Sequence, residues 1–250
     1  MNTAEIKEMI KIEKGEELES LLENCDEDPR SAVRKLAENK RKQIKEQKAE
    51  ERRVRAMLSF EKEYEGYSAI CGIDEAGRGP LAGPVVAGAV ILPKDRLILY
   101  ANDSKKLSEK KREELYDVIM SEALCVGVGV VSPEVIDEIN ILQATYEAMR
   151  QAISQLAIKP DLLLNDAVTI PEVDIKQVPI VKGDAKSLSI ACASIIAKVT
   201  RDRMMREYDK IYPEYGFAGH KGYGSAGHIA AIKKYGASPI HRATFIKNFV

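Results

Sequence analysis

The sequence predicts an α/β protein: a mixed β-sheet flanked by helices, preceded by a helical N-terminal extension. Three observations predict it. Between residues 68 and 250, short apolar runs rich in Val and Ile alternate with long helix-forming stretches, the pattern of a sheet covered by helices. Residues 1–67 differ in kind, with 32 charged side chains and little continuous apolar sequence. Within them no Gly or Pro interrupts residues 30–58, so that stretch reads as one helix. The boundary is drawn at 67/68, giving an extension of 1–67 and a larger domain of 68–250.

The elements follow in order along the larger domain. "SAICGID" (68–74) and "PVVAGAVIL" (84–92) read as strands. "SEKKREELYDVIMSEAL" (108–124) reads as a helix with Ser108 as its N-cap. "CVGVGVV" (125–131) is a third strand; its Gly-Val-Gly lacks the third glycine and the following helix of a dinucleotide fingerprint. Ser132-Pro133 opens a helix of many turns over 132–157. "DLLLND" (161–166) is a short strand, "KQVPIVKGD" (176–184) a weaker one, and 186–213 a long helix stopped at Pro213.

Charge is divided rather than balanced locally. Residues 1–29 carry ten acids against three lysines, and residues 30–55 carry eleven Lys/Arg against four Glu. The basic stretch is either a solvated helix paired with the acidic one or an arm that lies along a polyanion. Its sparse apolar residues suggest docking on something else rather than a core of its own. The whole chain of 250 residues has a net charge of −1 and is 45% apolar and 31% charged, which suits a globular domain and does not announce a nucleic-acid binder. No run of about 20 apolar residues and no signal-peptide pattern is present, so a cytoplasmic protein without a membrane span is expected. Four widely spaced cysteines without a Cys-x-x-Cys pair are expected as reduced thiols, and the three histidines show no metal-ligand spacing.

Carboxylates recur at the ends of the predicted strands. Asp74 and Glu75 follow the first, Asp166 ends the fourth, and Asp184 closes the fifth. Ligand sites of open α/β sheets gather at the carboxyl ends of strands. Four acids converging there repel unless cations separate them, and all-oxygen donors suit hard ions, Mg²⁺ or Mn²⁺. Paired ions about 4 Å apart can activate water and hold a scissile phosphate. Asp166 or Asp184 alone reads more simply as a turn or cap residue, but the adjacent Asp74–Glu75 pair does not.

The motifs "GIDEAGRGPLAGPVVAGAVIL", "DSKKLSEKKREELY", "VKGDAKSLSIACASIIAKVTRDRMM", "YGFAGHKGYGSAGH" and "YGASPIHRATF" resemble, in this order, the bacterial type 2 ribonuclease H family, ribonuclease HII. The resemblance spans about residues 68–246, and the charged extension is similar to that of the longer enzymes of Gram-positive bacteria. It implies an RNase H-like fold. It also implies hydrolysis of the RNA strand of RNA–DNA hybrids and cutting at single ribonucleotides in duplex DNA, in ribonucleotide and RNA-primer removal. It further implies a monomer and two Mn²⁺ or Mg²⁺ ions; attack by an ion-activated water would leave 5′-phosphate and 3′-hydroxyl ends, whereas attack by the 2′-hydroxyl would leave a cyclic phosphate.

Carried onto this chain, the resemblance makes Asp74, Glu75, Asp166 and Asp184 the metal-holding and catalytic carboxylates. Gly77, Arg78 and Gly79 would touch the ribonucleotide, because a backbone without Cβ can approach a 2′-hydroxyl. Tyr223 would pack on the sugar of the following deoxynucleotide; without the resemblance it reads as a loop anchor. Lys105, Lys106 and Lys182 are candidate phosphate contacts, with solvated surface lysine as the alternative, and His220 is a weaker one. Ala167 replaces the glycine that many members place after the third carboxylate. Alanine adopts positive φ at a cost, so a different turn is expected there. The sister type 3 family has Gly-Thr-Gly where this chain has Gly77-Arg78-Gly79, and a non-catalytic duplex binder would not need four acids.

Overall fold

A computed structural model of the chain describes residues 1–249. They form two compact units, Met1–Arg53 and the residues from Val54 onward. In the first, α1 (Thr3–Ile12) and α2 (Gly15–Asp26) precede α3 (Ser31–Ala56), which realises the uninterrupted helix of the sequence. Asn2 and Glu5 form a capping box at the start of α1. Contrary to expectation, this unit has its own core: Ile6, Ile10, Leu18, Leu22, Cys25 and Val33 are buried together with Ala37. The apolar residues are few, but they recur three or four apart, so each helix turns one narrow stripe inward. Arg30 pairs with Asp28 and Arg41 with Asp26, at 2.6 and 2.7 Å. Lys45, Lys48 and Arg52 make no ion pair among the described residues.

The second unit is built on a five-stranded sheet: β1 (Ile70–Ala76), β2 (Val85–Ile91), β3 (Cys125–Val131), β4 (Leu162–Asp166) and β5 (Lys176–Ile180). The spatial order is β3-β2-β1-β4-β5. The β1–β2 and β2–β3 pairs are antiparallel, and the β1–β4 and β4–β5 pairs are parallel. Central β1 is thus where the sheet changes direction. Pro179 sits in β5, an edge strand, where a missing N–H costs no ladder bond.

Helices cover both faces. They are α4 (Ser59–Glu63), α5 (Glu109–Glu122), α6 (Pro133–Ser154) and α7 (Leu188–Ile211). α6 lies on β3 and β2, and α7 lies across β1 and β2. Glycines in the strands permit the close approach. A Cβ on Gly129 would stand 1.9 Å from the Ala148 carbonyl oxygen, and one on Gly72 2.1 Å from the Ser189 backbone. The Gly-Val-Gly of β3 is therefore a seat for α6, not a phosphate loop. Val54, Met57 and Leu58 join the apolar layer with α5 and α7. Charge alone groups residues 54–67 with the extension; hydrophobic burial places these three with the sheet.

Capping agrees with the sequence at Ser108 and Ser132, whose hydroxyls accept from Lys111 N–H and Val135 N–H. Three features differ. α6 is not continuous: Asn140 is at φ 67°, and its side-chain oxygen recaps the chain by accepting from Leu142 and Gln143 N–H. β5 ends at Ile180, so Asp184 lies beyond it on a single 3₁₀ turn, Gly183–Ala185, just before α7. After Pro213 the chain forms α8 (Phe217–His220), α9 (Ala226–Tyr235) and α10 (Ala243–Ile246). The Ser225 hydroxyl caps α9 by accepting from His228 N–H at 3.2 Å. No helix of the described residues is long and apolar enough to cross a membrane, and Cys25, Cys71, Cys125 and Cys192 are free.

Candidate active site

Asp74 and Glu75 lie near the carboxyl end of β1, Asp166 is the last residue of the adjacent parallel β4, and Asp184 follows β5. Parallel pairing of β1, β4 and β5 brings three strand ends to one side of the sheet. Asp74 is 5% and Asp184 8% exposed. Burial raises the Asp74 carboxyl well above the ordinary range, and the charges of Glu75 and Asp166 push it further. Glu75 is raised by burial and by Asp166, with Arg78 opposing. Asp184 is raised by burial, then by Asp103 and Asp166. The charge of Asp166 thus bears on each of the other three acids.

Local bonds hold each acid in place. The Asp74 carboxylate accepts from Glu75 N–H at 2.7 Å, and Ser194 of α7 hydrogen-bonds it as well. Asp166 accepts from Gly183 N–H at 2.7 Å, which ties β4 to the turn that carries Asp184. Glu75 lies 3.5 Å from the Arg78 guanidinium. Among the described residues, no group of three His, Cys, Asp or Glu side chains closes tightly enough to cage an ion as placed. The chemistry of the set nonetheless fits one. It is all oxygen and largely buried, and burial together with neighbouring carboxylate charge raises Asp74, Glu75 and Asp184, a cost that a hard divalent cation relieves.

Ala167 does adopt positive φ despite its cost. Its φ is 59°, in the left-handed region, and its N–H bonds the Ile180 carbonyl at 3.0 Å. The β4–β5 pairing fixes this geometry, and the alanine bears the strain.

Beside the acids opens a cleft of about 490 Å³, walled by Glu75, Gly77, Arg78, Gly79, Lys105 and Tyr223 together with Ser104, Ser194 and Lys198. Lys105 and Lys106 form an exposed 3₁₀ turn with Ser104. Of these two only Lys105 reaches the wall, and its charge opposes the rise at Glu75 and Asp184. Lys106 and Lys182 stand outside it. Tyr223 is 45% exposed, and a Cβ on Gly79 would lie 3.9 Å from its ring. His220 has no nitrogen left for a phosphate: Nε2 bonds the Tyr215 carbonyl and Nδ1 accepts from Gly222 N–H.

Two arginines that sequence reasoning passed over shape this cleft. Arg242 is fully buried and donates to the carbonyls of Gly77, Arg78 and Gly83. Arg201, 1% exposed, donates to those of Ala82, Pro84 and Lys221. Neither contacts a carboxylate; burial lowers Arg201 to about 10 and Arg242 to about 9. Together they pin the glycine loop and the Tyr223 loop to one base. Charged residues within otherwise buried segments, "IIAKVTR" and "PIHR", were the available signal. Asp103 and Ser194 were missed too. Asp103 lies beside Lys105 and Lys106, and Ser194 lies within the long helix, but only folding brings them to the acids.

Comparison with known proteins agrees with this architecture. The family model described as Ribonuclease HII matches residues 71–248, and that of the Ribonuclease HII N-terminal domain matches 2–65. Ribonuclease HII of Lachnoclostridium phytofermentans is 65% identical over 221 residues, 88% of this chain and 87% of its own length. That of Clostridioides difficile is 55% identical over 248 residues, 98% and 97% of the two chains. The crystal structure of ribonuclease H2 from Pyrococcus horikoshii OT3 superposes with a TM-score of 0.61 at 31% identity, covering 73% of this chain and 97% of that one. The fold, the order of the motifs and these similarities together show that the chain belongs to the ribonuclease HII family.

Proposed function

We propose that this ribonuclease cuts the RNA strand of RNA–DNA hybrids and the backbone at single ribonucleotides embedded in duplex DNA, as a cytoplasmic monomer, with Mg²⁺ or Mn²⁺ held by Asp74, Glu75, Asp166 and Asp184. The observation that carries this reading is the set of mutually destabilised carboxylates at the ends of parallel strands, opening onto a cleft walled by Gly77–Gly79. Ions bound there supply neutralising charge, Lewis acidity at the scissile phosphate and activation of water.

The remaining chemistry belongs to the chain. With the Gly77 and Arg78 carbonyls taken by Arg242, it is the exposed backbone at Gly79 that offers N–H and C=O groups, which a side chain there would screen. A 2′-hydroxyl, both donor and acceptor, satisfies them, and a deoxyribose cannot. The Tyr223 ring beside Gly79 favours a sugar that lacks this hydroxyl on the 3′ side, so a 5′-RNA–DNA-3′ junction is selected. With the 2′-hydroxyl engaged in recognition, water is the nucleophile, and the products carry 5′-phosphate and 3′-hydroxyl ends. Lys105, on the cleft wall, meets the phosphate backbone; Lys106 and Lys182 extend that contact along the duplex.

The test is cleavage of duplex DNA containing one ribonucleotide, with and without Mg²⁺, followed by analysis of the ends. A single cut leaving 5′-phosphate supports the reading, and a 2′,3′-cyclic phosphate sinks it. Asp74→Asn is expected to lose most activity, about a hundredfold or more in kcat, with the fold intact by circular dichroism. Near-normal cleavage by that variant would remove Asp74 from the site.

A further inference from the structure

The chain's three histidines, among which only His220 reads from the sequence as a weak phosphate contact, form one cluster behind Tyr223. His228 and His241 are 0% and 6% exposed. His220 stacks on His228 with ring centres 4.3 Å apart, Phe217 meets His228 edge-on at 5.4 Å, and Tyr215 lies 4.9 Å from His241. Their ring nitrogens make a chain. Ser238 N–H donates to His241 Nδ1 at 2.9 Å, with the Ser238 hydroxyl 2.7 Å from the same atom. His241 Nε2 lies 2.9 Å from His228 Nε2, and His228 Nδ1 lies 2.9 Å from the Tyr223 carbonyl oxygen.

One backbone donor fixes every proton in this chain. A peptide N–H can only donate, so His241 Nδ1 accepts and the ring carries its proton on Nε2. His228 Nε2 must then accept, which leaves the proton on Nδ1, aimed at the Tyr223 carbonyl. We propose that His241 and His228 are positioning residues for Tyr223, holding the main chain of the residue that reads the ribonucleotide–deoxyribonucleotide junction. The proposal rests on the reading of Tyr223 given above.

Other fastenings are backbone bonds or lie one or two residues away: Tyr223 N–H itself donates to the His220 carbonyl at 2.9 Å. Arg201 holds the Lys221 carbonyl, His220 accepts from Gly222 N–H, and Leu81 N–H donates to the Gly222 carbonyl at 2.8 Å. Ser225 N–H also reaches the Tyr223 carbonyl, at 2.8 Å, but from the same loop. His228 thus supplies the side-chain bond that ties Tyr223 itself to the aromatic cluster. Tyr223 is nearly half exposed and its hydroxyl makes no hydrogen bond among the described residues, so its aim beside Gly79 is set chiefly by its backbone. A shift of that backbone moves the ring relative to the sugar while the carboxylates stay where they are.

The experiment uses the full chain at neutral pH in Mg²⁺. It measures kcat/KM on duplex DNA with one ribonucleotide and on a hybrid with a continuous RNA strand, and takes their ratio. His228→Leu is expected to lower the ratio about five- to tenfold, the worth of one buried hydrogen bond. His228→Asn, whose amide nitrogen replaces Nδ1 as donor, is expected to keep it within about twofold. Because both act through one ring, His228→Leu added to Tyr223→Ala should lower the ratio no further than Tyr223→Ala alone. A ratio lowered by Tyr223→Ala but unmoved by His228→Leu overturns the positioning role and leaves the junction reading standing. If Tyr223→Ala itself leaves the ratio unmoved, the junction reading fails and takes the proposal with it. Should His228→Leu not fold, the ring ¹⁵N shifts of the unaltered protein decide. Nδ1–H at His228 and Nε2–H at His241 are expected, and the opposite tautomer at either ring overturns the proposal.

Discussion

Asp74 illustrates what a residue-scale reading can weigh. Its carboxyl is buried, raised in pKa, and repelled by Glu75 and Asp166. A carboxyl raised above its unfolded value stabilises the fold at low pH, and that stability is lost as pH rises through the folded value. Without divalent ions, the protein should therefore lose stability from the ordinary carboxylate range upward, with Glu75 and Asp184 adding to the loss in the same direction. Asp74→Asn should flatten this dependence and raise the melting temperature of the ion-free protein at neutral pH. Mg²⁺ or Mn²⁺ should raise the melting temperature of the unaltered chain and raise that of Asp74→Asn much less. Thermal scans from pH 4 to 8 in chelator check both; a steeper curve in the variant would deny the repulsion. Ala167 supplies a second case. It is exposed, packs on nothing that glycine would forfeit, and holds φ 59°. Ala167→Gly should stabilise the chain by about 0.5–1 kcal/mol, strain relief outweighing added backbone freedom. Denaturant midpoints settle this, and a lower midpoint for the glycine variant would mean that the strain is absorbed elsewhere.

Among the elements, the start of α7 is the best-connected joint near the acids. Leu188 N–H donates to the Met57 carbonyl at 3.0 Å, and Ser189 N–H and the hydroxyls of Ser187 and Ser189 all donate to the Glu61 carboxylate at 2.7–3.0 Å. Residues 57–61 thus satisfy the orphan donors of the helix that follows the Asp184 turn. Glu61→Ala should cost about 1–3 kcal/mol, with three donors left to water or to nothing. Chemical denaturation measures it, and a loss below about 0.5 kcal/mol would show the cap to be solvated already. Nothing in "SFEKE" announced this bond, because it spans 126 residues or more. That marks the limit of what could be read beforehand. Strands β1 to β4, helices α5 and α7, and the four carboxylates were legible as apolar runs with acids at their ends. The break at Asn140 was not, since a side chain that caps its own backbone leaves the hydrophobic period intact. The three short helices after Pro213 were missed because α8 and α10 are single turns packed by tertiary contacts. The roles of Arg201, Arg242 and the histidine chain could not be assigned from sequence, because their partners are distant carbonyls and rings.

At the scale of the whole molecule, the question is what the N-terminal unit adds. Its acidic and basic stretches partly neutralise one another through Arg41–Asp26 and Arg30–Asp28. Lys45, Lys48 and Arg52 remain on one face of α3, three and four residues apart, and with Arg41 they form the basic wall of a groove of about 390 Å³ in this unit, which Glu19 and Glu23 of α2 also line. Such a stripe matches a phosphate backbone in charge and can release condensed counterions on binding. Because the unit has its own core and none of the four carboxylates, its removal should alter affinity and leave chemistry alone. The place of the cut decides the outcome. Deleting residues 1–53 should leave the sheet domain folded, with kcat nearly unchanged and KM raised. The slope of log affinity against log salt should become shallower by about 0.9 for each phosphate that the shortened chain no longer neutralises. Deleting 1–60 should instead destabilise the domain by several kcal/mol, roughly the sum for Val54, Met57 and Leu58 taken from the core, along with the Met57 carbonyl that caps α7. Salt titrations of the two truncated proteins, with their melting temperatures, separate affinity from stability. An unchanged salt slope after removal of 1–53 would mean that the basic face of α3 stays in solvent while the duplex is bound. Equal melting temperatures for the two deletions would place residues 54–60 outside the core that their burial implies.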